Sequence, residues 1–435
     1  MKTRQTGKRS AAICVRLLAL VVCAVLVGTI LMISLYALPT GSIFAHARAS
    51  VNDFDEEMIF NWAGQPLSGL LCYQTDALMI AHAIYRPHDS VVENAMINPR
   101  PEYDLEPQEN LVRYLQGEEP IRDSRYDRYW HGYLLYIIPL LQFLTVGEAK
   151  IVMMYLQFLL LMMVVCLLGK RSRAYMFLFT VVILFLNPIT SVLTFQNADI
   201  HCIMLVSMIL LLRYNDWLKI NGRYLYFFAL NGILVAFMDY LTYPLAAYGI
   251  PLITVLVIND FRGREALKHT VLNSLAWGWG YGGMWAGKWI MAELLTDADT
   301  LSSALRTIFF RTSGGVGQFA DGEITFGFTL KHVFGLMMDR PTWILVGITG
   351  IILVICIFRK KSRYKTIREY LAAAGAVALV GMVPFAWFFV VRNHTVTHPH
   401  LEYRQLAVSL WAVLVILTLP FINPAPETEQ PGCSV

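Results

Sequence analysis

Apolar residues fall along this chain in blocks of roughly 17 to 25, the length an α-helix needs to cross about 30 Å of hydrocarbon. The first block, 13–38, follows a head carrying Lys2, Arg4, Lys8 and Arg9. It is longer than the apolar core of a secretory signal, about 7 to 15 residues, so it predicts an uncleaved anchor despite the Ala45-His46-Ala47 triplet behind it. Further blocks predict spans at 149–169, 174–194, 198–213, 224–240, 241–258, 270–292, 342–358, 369–391 and 405–422. With the anchor these make about ten. The stretch 131–146 is short, holds Pro139 and ends at Gly147-Glu148, which predicts an interfacial or re-entrant piece rather than a crossing.

The pattern therefore predicts an all-α polytopic membrane helix bundle. Its parts are a basic N-terminus (1–12), the anchor, a mostly helical loop with an interfacial helix (39–148), a bundle (149–422) that includes a second loop (293–341), and a tail (423–435).

Composition agrees: 56% of residues are hydrophobic, 15% are charged and the mean hydropathy is +0.52, outside the range of soluble globular chains. The net charge of +4 is too small to imply a nucleic-acid partner. The distribution of charge is more informative. The segment 39–130 has seven Arg and no Lys, whereas Lys170 to Arg173, Arg213 to Arg223, Arg262 to Lys268 and Arg359 to Arg368 are basic clusters between spans. If 131–146 does not cross, all four clusters fall on the side of the N-terminus, as the positive-inside rule requires. Both termini are then expected in the cytoplasm of a bacterial plasma (inner) membrane, with the loop 39–148 outside. The seven cysteines form no CxxC and no His-Cys cluster, so neither a disulfide framework nor a thiolate metal site is indicated.

With that orientation the unusual polar residues gather outside. Asp53, Asp55, Glu56 and Glu57 place four carboxylates in five residues, suited to a general base or metal ligand unless they form a solvated acidic loop. Asp199 and Asp239 stand at outer span ends, where a carboxylate needs a partner, a capping job or a water-filled cavity. Asp239, with Tyr240, Tyr243 and Pro244 suggesting a broken helix end, is read as cavity-lining, as are Tyr243 and Tyr403. The segment 392–404 holds Arg392, His394, His398, His400, Tyr403 and Arg404. Planar guanidinium donors with histidines beside them suit a phosphate at a membrane surface. A divalent cation is the weaker reading, because Pro399 prevents one helix from presenting all three histidines. Headgroup-level snorkelling is the plain alternative. Arg128 and His131, among Tyr126, Tyr129 and Trp130, fit an aromatic belt or a second phosphate contact. Lys288, near the outer end of its block, is expected to snorkel.

The layout of anchor, acidic outer loop, interfacial piece, many spans and a late basic outer loop resembles the GT-C superfamily of polyprenyl-phosphate-sugar glycosyltransferases. Thr75-Asp76-Ala77-Leu78-Met79, Arg128-Tyr129-Trp130-His131-Gly132-Tyr133, Asp239-Tyr240-Leu241-Thr242-Tyr243-Pro244, and Asn393-His394-Thr395 through Tyr403-Arg404 are similar to motifs of a poorly characterised bacterial family of multi-spanning proteins. The resemblance implies inverting transfer of a sugar from a polyprenyl-phosphate donor to an envelope glycan or lipid acceptor. It also implies a first-loop carboxylate as base: Asp55 with Glu56, or Asp76 in their place. Two other classes compete: a transporter or flippase of a lipid-linked or small polar solute, and a non-catalytic envelope-assembly protein. Few polar residues within the spans argue against transport.

Overall fold

The computed structural model describes residues 2–54, 73–313, 323–337, 344, 347–352, 355 and 362–422. The described residues are overwhelmingly helical; the loop expected to be mostly helical also contains an antiparallel ribbon, Arg100–Glu102 against Arg122–Ser124. Five stretches are long and apolar enough to cross a membrane: Ala11–Tyr36, Val146–Arg171, Phe195–Met238, Ile367–Val390 and Pro399–Thr418.

This is fewer than the sequence pattern predicts, for local reasons. Phe195–Met238 is a hairpin of two helices, Phe195–Lys219 and Arg223–Met238, folded at Ile220–Gly222, where Asn221 (φ 57°) and Gly222 (φ 72°) take left-handed backbone. The block 174–194 breaks at Asn187 (φ 53°) into Arg173–Phe185 and Pro188–Leu193. Pro244–Ile258 is apolar but short. Gly263–Leu295 has 33 residues, about 50 Å of helix, and therefore runs past any bilayer core. Most of the block 342–358 lies outside the described residues. Leu134–Leu141 has eight residues, about 12 Å of helix, too short to cross.

Small residues let these helices approach. On Gly263–Leu295, Gly280 abuts the Ala229 carbonyl, and Gly283 and Gly287 abut Val21 and Val25 of the first helix. Gly232 makes the reciprocal contact with the Trp277 carbonyl. Close backbone approach of this kind replaces the hydrophobic driving force that lipid removes. Beside these contacts, Trp277 Nε1 donates to Asn231 Oδ1 at 2.9 Å, and Asn231 donates to Ser207 Oγ at 2.8 Å, so the buried amide has partners.

Cations close helix ends. Arg86 donates to the carbonyls of Tyr36 (2.6 Å) and Leu38 at the end of Lys2–Tyr36. Lys288 is wholly buried instead of snorkelling, and its Nζ reaches the Met96 carbonyl (2.7 Å) and Asn98 Oδ1 (2.8 Å) at the end of Val91–Ile97. Each meets the negative end of a helix dipole and otherwise unpaired carbonyls. Val146–Arg171 starts with a capping box, Thr145 with Glu148, and its far end carries Arg171, which donates to the Leu212 carbonyl at 2.9 Å.

Candidate functional site

Two hollows adjoin near the start of Val146–Arg171 and Phe195–Lys219, at the end of the bundle opposite Arg171. One is a cavity of about 210 Å³ with a mixed polar and apolar lining. Its walls are Gln74, Thr75 and Leu78 from helix Tyr73–Ile84; Tyr126 and Tyr129; Tyr240, Leu241 and Thr242; Arg311; and His394, His398 and His400. The other is a groove of about 270 Å³, mainly apolar, between Gly263–Leu295, Thr300–Thr312 and Val383–Val390. Tyr281, Trp285, Trp289, Ile308 and Trp387 line it, with Arg128 at its side. Tyr129, Leu241 and Arg311 belong to both. The loop 39–148 and the histidine-arginine loop meet here through residues 74–78 and 394–401.

Two turns with positive φ present the central wall. His131 (φ 58°) is held at Nε2 by the Tyr126 carbonyl (2.8 Å) and at Nδ1 by the Tyr133 hydroxyl (2.7 Å). The next residue, Gly132, donates its N–H to the Phe237 carbonyl at 2.8 Å, with no room for a side chain. Leu241 (φ 63°) sits in a turn where the Asp239 carboxylate accepts from Thr242 N (3.0 Å) and Thr242 Oγ1. Strained backbone kept by such contacts is a feature of functional sites. Trp289 Nε1 donates to the Arg128 carbonyl (3.0 Å) and Trp130 Nε1 to that of Met284 (2.7 Å), fixing this segment on the long helix. The rings of Tyr126, Tyr129 and Tyr240 stack with centroids 5.0 to 5.4 Å apart.

The candidate residues are placed as follows. Asp55 and Glu56 lie outside the described residues, and Asp53 is in the short turn Val51–Phe54. Asp76 is fully buried: Oδ1 accepts from the N–H groups of Phe195 (3.0 Å) and Gln196 (3.2 Å), and Oδ2 pairs with Lys150 Nζ at 2.8 Å. Its side chain thus starts one helix and ties it to another. Arg404 is buried too, donating to the Leu186 carbonyl (3.3 Å), to Thr190 Oγ1 (2.7 Å) and to the His400 carbonyl. Arg392 lies against Phe389, its guanidinium 5.6 Å from the ring centroid. Asp199, Asp239, Tyr243 and Tyr403 are buried near the cavity but do not line either described hollow. Arg128 donates to Ser303 Oγ at 3.2 Å, and His394, His398 and His400 form the cavity wall.

The sequence reading passed over two residues. Arg311 donates to Tyr129 Oη at 2.7 Å where groove meets cavity. Its position directly after Ile308, Phe309 and Phe310 was the available signal. Glu402 is fully buried, accepts from Trp387 Nε1 at 2.9 Å, and stands 3.5 Å from His394 Nε2. Among the described residues, no group of three or more His, Cys, Asp or Glu is arranged to hold a metal ion; the ring centroids of His394 and His398 are 4.8 Å apart and those of His398 and His400 6.4 Å.

Burial governs the ionisation of this region. It lowers His398 from 6.5 to about 4, with Arg311 adding to the effect, and His82, packed 4.4 Å from His131, to about 3, with Arg100 adding. Below pH 6.5 the unfolded chain takes up protons that these folded-state rings refuse, so folding stability must fall with pH from 6.5 down to the folded values. The expected loss is about 1.4 kcal/mol per histidine per pH unit. Thermal unfolding in detergent at pH 7.5 and pH 5 tests it: His398→Gln and His82→Gln should each flatten the dependence.

Compared with known proteins, the chain matches no family model, no curated protein and no solved structure.

Proposed function

We propose that this chain is an integral membrane glycosyltransferase of GT-C type, moving a sugar from a polyprenyl-phosphate donor to an envelope glycan or lipid acceptor on the outer face of a bacterial plasma membrane. The observation that carries the reading is the junction at Arg311. An apolar, tryptophan-lined groove runs into a more polar, tyrosine- and histidine-lined cavity, and a guanidinium stands where the two meet. A lipid-linked sugar phosphate has this same order of parts: an isoprenoid chain, an anionic phosphate and a polyhydroxylated head. In a water-poor setting a guanidinium is the natural partner for the phosphate, and it binds more strongly as charge collects on the leaving oxygen. Stacked tyrosines offer flat faces to a sugar ring.

In this reading Arg128 and Arg311 flank the phosphate, in place of the Arg392 and Arg404 that the sequence favoured, and ten crossings put both termini in the cytoplasm. The basic end around Arg171, Asp260 and Arg363, opposite the hollows, supports that orientation.

Binding of farnesyl phosphate to the protein in nanodiscs, followed by tryptophan fluorescence, tests the reading. Arg311→Ala should weaken binding at least tenfold, since a charge-assisted hydrogen bond is worth about 1.5–3 kcal/mol. Arg392→Ala should change it less than twofold. Farnesol, lacking the phosphate, should show no dependence on Arg311. Equal binding of farnesyl phosphate by wild type and Arg311→Ala would remove the basis for the proposal.

A further inference from the structure

Sugar transfer needs a group that takes the acceptor hydroxyl's proton; no carboxylate lines the described cavity, and two of those buried near it are already engaged. Asp76 is bound to two backbone N–H groups and Lys150, and Asp239 closes its own turn. The histidine wall contains a different arrangement. His394 lines the cavity, its Nε2 3.0 Å from the Leu241 carbonyl and 3.5 Å from Glu402 Oε1. A carbonyl oxygen only accepts, so Nε2 carries the proton and the lone pair of the neutral ring is on Nδ1. Glu402 is itself fixed by Trp387 Nε1 at 2.9 Å, and Trp387 also lines the lipid groove. The carbonyl thus sets the tautomer and the carboxyl group steadies the ring, the pattern in which an imidazole serves as a base.

We propose that His394 is a catalytic base of this site and that Glu402 is its positioning residue. The inference rests on the glycosyltransferase reading. The acceptor O–H gives its proton to His394 Nδ1 as its oxygen forms a bond to the anomeric carbon. The bond from that carbon to the phosphate oxygen breaks, and its electron pair leaves with the lipid phosphate, next to Arg311. The imidazolium formed faces the Leu241 carbonyl and Glu402. The other charged or titratable groups around it are Arg311, His398, His400 and, beyond Glu402, Asp239. Arg311 and the neighbouring histidines oppose a positive ring when the cavity is empty, and the anionic phosphodiester of a bound donor offsets them, more strongly as charge collects on the leaving oxygen.

The test uses the full chain in nanodiscs with farnesyl-phosphate-linked glucose, mannose and N-acetylglucosamine as donors and octyl glycosides or water as acceptors. It follows release of farnesyl phosphate by mass spectrometry from pH 5 to 9. His394→Gln should lower release at least a hundredfold while farnesyl phosphate binding stays within twofold of wild type. Glu402→Gln should lower it about tenfold with farnesyl phosphate binding unchanged, because the carboxyl group that steadies the His394 ring is replaced by an amide. Glu402→Asp should recover to within threefold of wild type.

Release by His394→Gln at the wild-type rate, or a Glu402→Asp protein no more active than Glu402→Gln, overturns the assignment. Wild-type binding of farnesyl phosphate without release from any donor also overturns it while leaving a lipid-phosphate site standing. Absence of binding removes the parent reading, and the assignment with it.

Discussion

Asp76→Ala should cost about 3–5 kcal/mol of stability, the usual penalty for breaking a buried ion pair from one side, because it leaves Lys150 without its counter-charge in a site where Asp76 itself has no solvent exposure. The same substitution uncaps Phe195–Lys219 by freeing two N–H groups. The measurement is the midpoint of thermal unfolding in detergent, read alongside expression level. Asp76→Asn keeps one amide oxygen for the cap but loses the charge, so it should fall between wild type and Ala. The pair Asp76→Leu with Lys150→Met should recover much of the loss, since an apolar pair can replace a buried ionic one at little cost. If Asp76→Asn left the midpoint unchanged and abolished transfer, Asp76 would instead be acting as the base that the GT-C resemblance allows.

Gly280→Leu should be at least as damaging. A Cβ at this position would meet the Ala229 carbonyl and neighbouring backbone atoms, and backbone cannot move aside as a side chain tip can. The long helix and Arg223–Met238 would have to separate along their crossing, opening the Gly232 contact with Trp277 as well. Overpacking of cores costs about 1–3 kcal/mol and more when backbone is the obstacle. Loss of the monodisperse peak in size-exclusion chromatography is the expected result. Gly278→Leu, on the same helix but with open space around a new Cβ, should behave like wild type. Because the crossing carries the Tyr281 and Trp285 side of the groove, any folded Gly280→Leu protein should also bind farnesyl phosphate poorly.

Much of the candidate site was legible in sequence as regions and little of it as atoms. The loops containing Thr75, Arg128, Tyr240 and His394 were picked out by unusual polar residues between apolar blocks, and they do converge. The roles within them follow from neighbours far along the chain. Asp76 reads as a free acid until Lys150 and the start of the next helix are placed beside it. Arg404 reads as a phosphate donor until the Leu186 carbonyl and Thr190 occupy its guanidinium. Lys288 reads as a snorkelling residue until the end of Val91–Ile97 covers it.

Hydrophobic periodicity is a local property, and burying about twenty apolar residues at a time dominates the energetics of each segment, so the sequence by itself determined that this is a helical membrane protein and where most of its helices lie. Which cation meets a helix end, which carboxylate stays available and which arginine faces the apolar groove depend on contacts of a few ångströms between distant segments. A buried charge takes whatever partner the packing leaves within reach, so only the tertiary structure decided those.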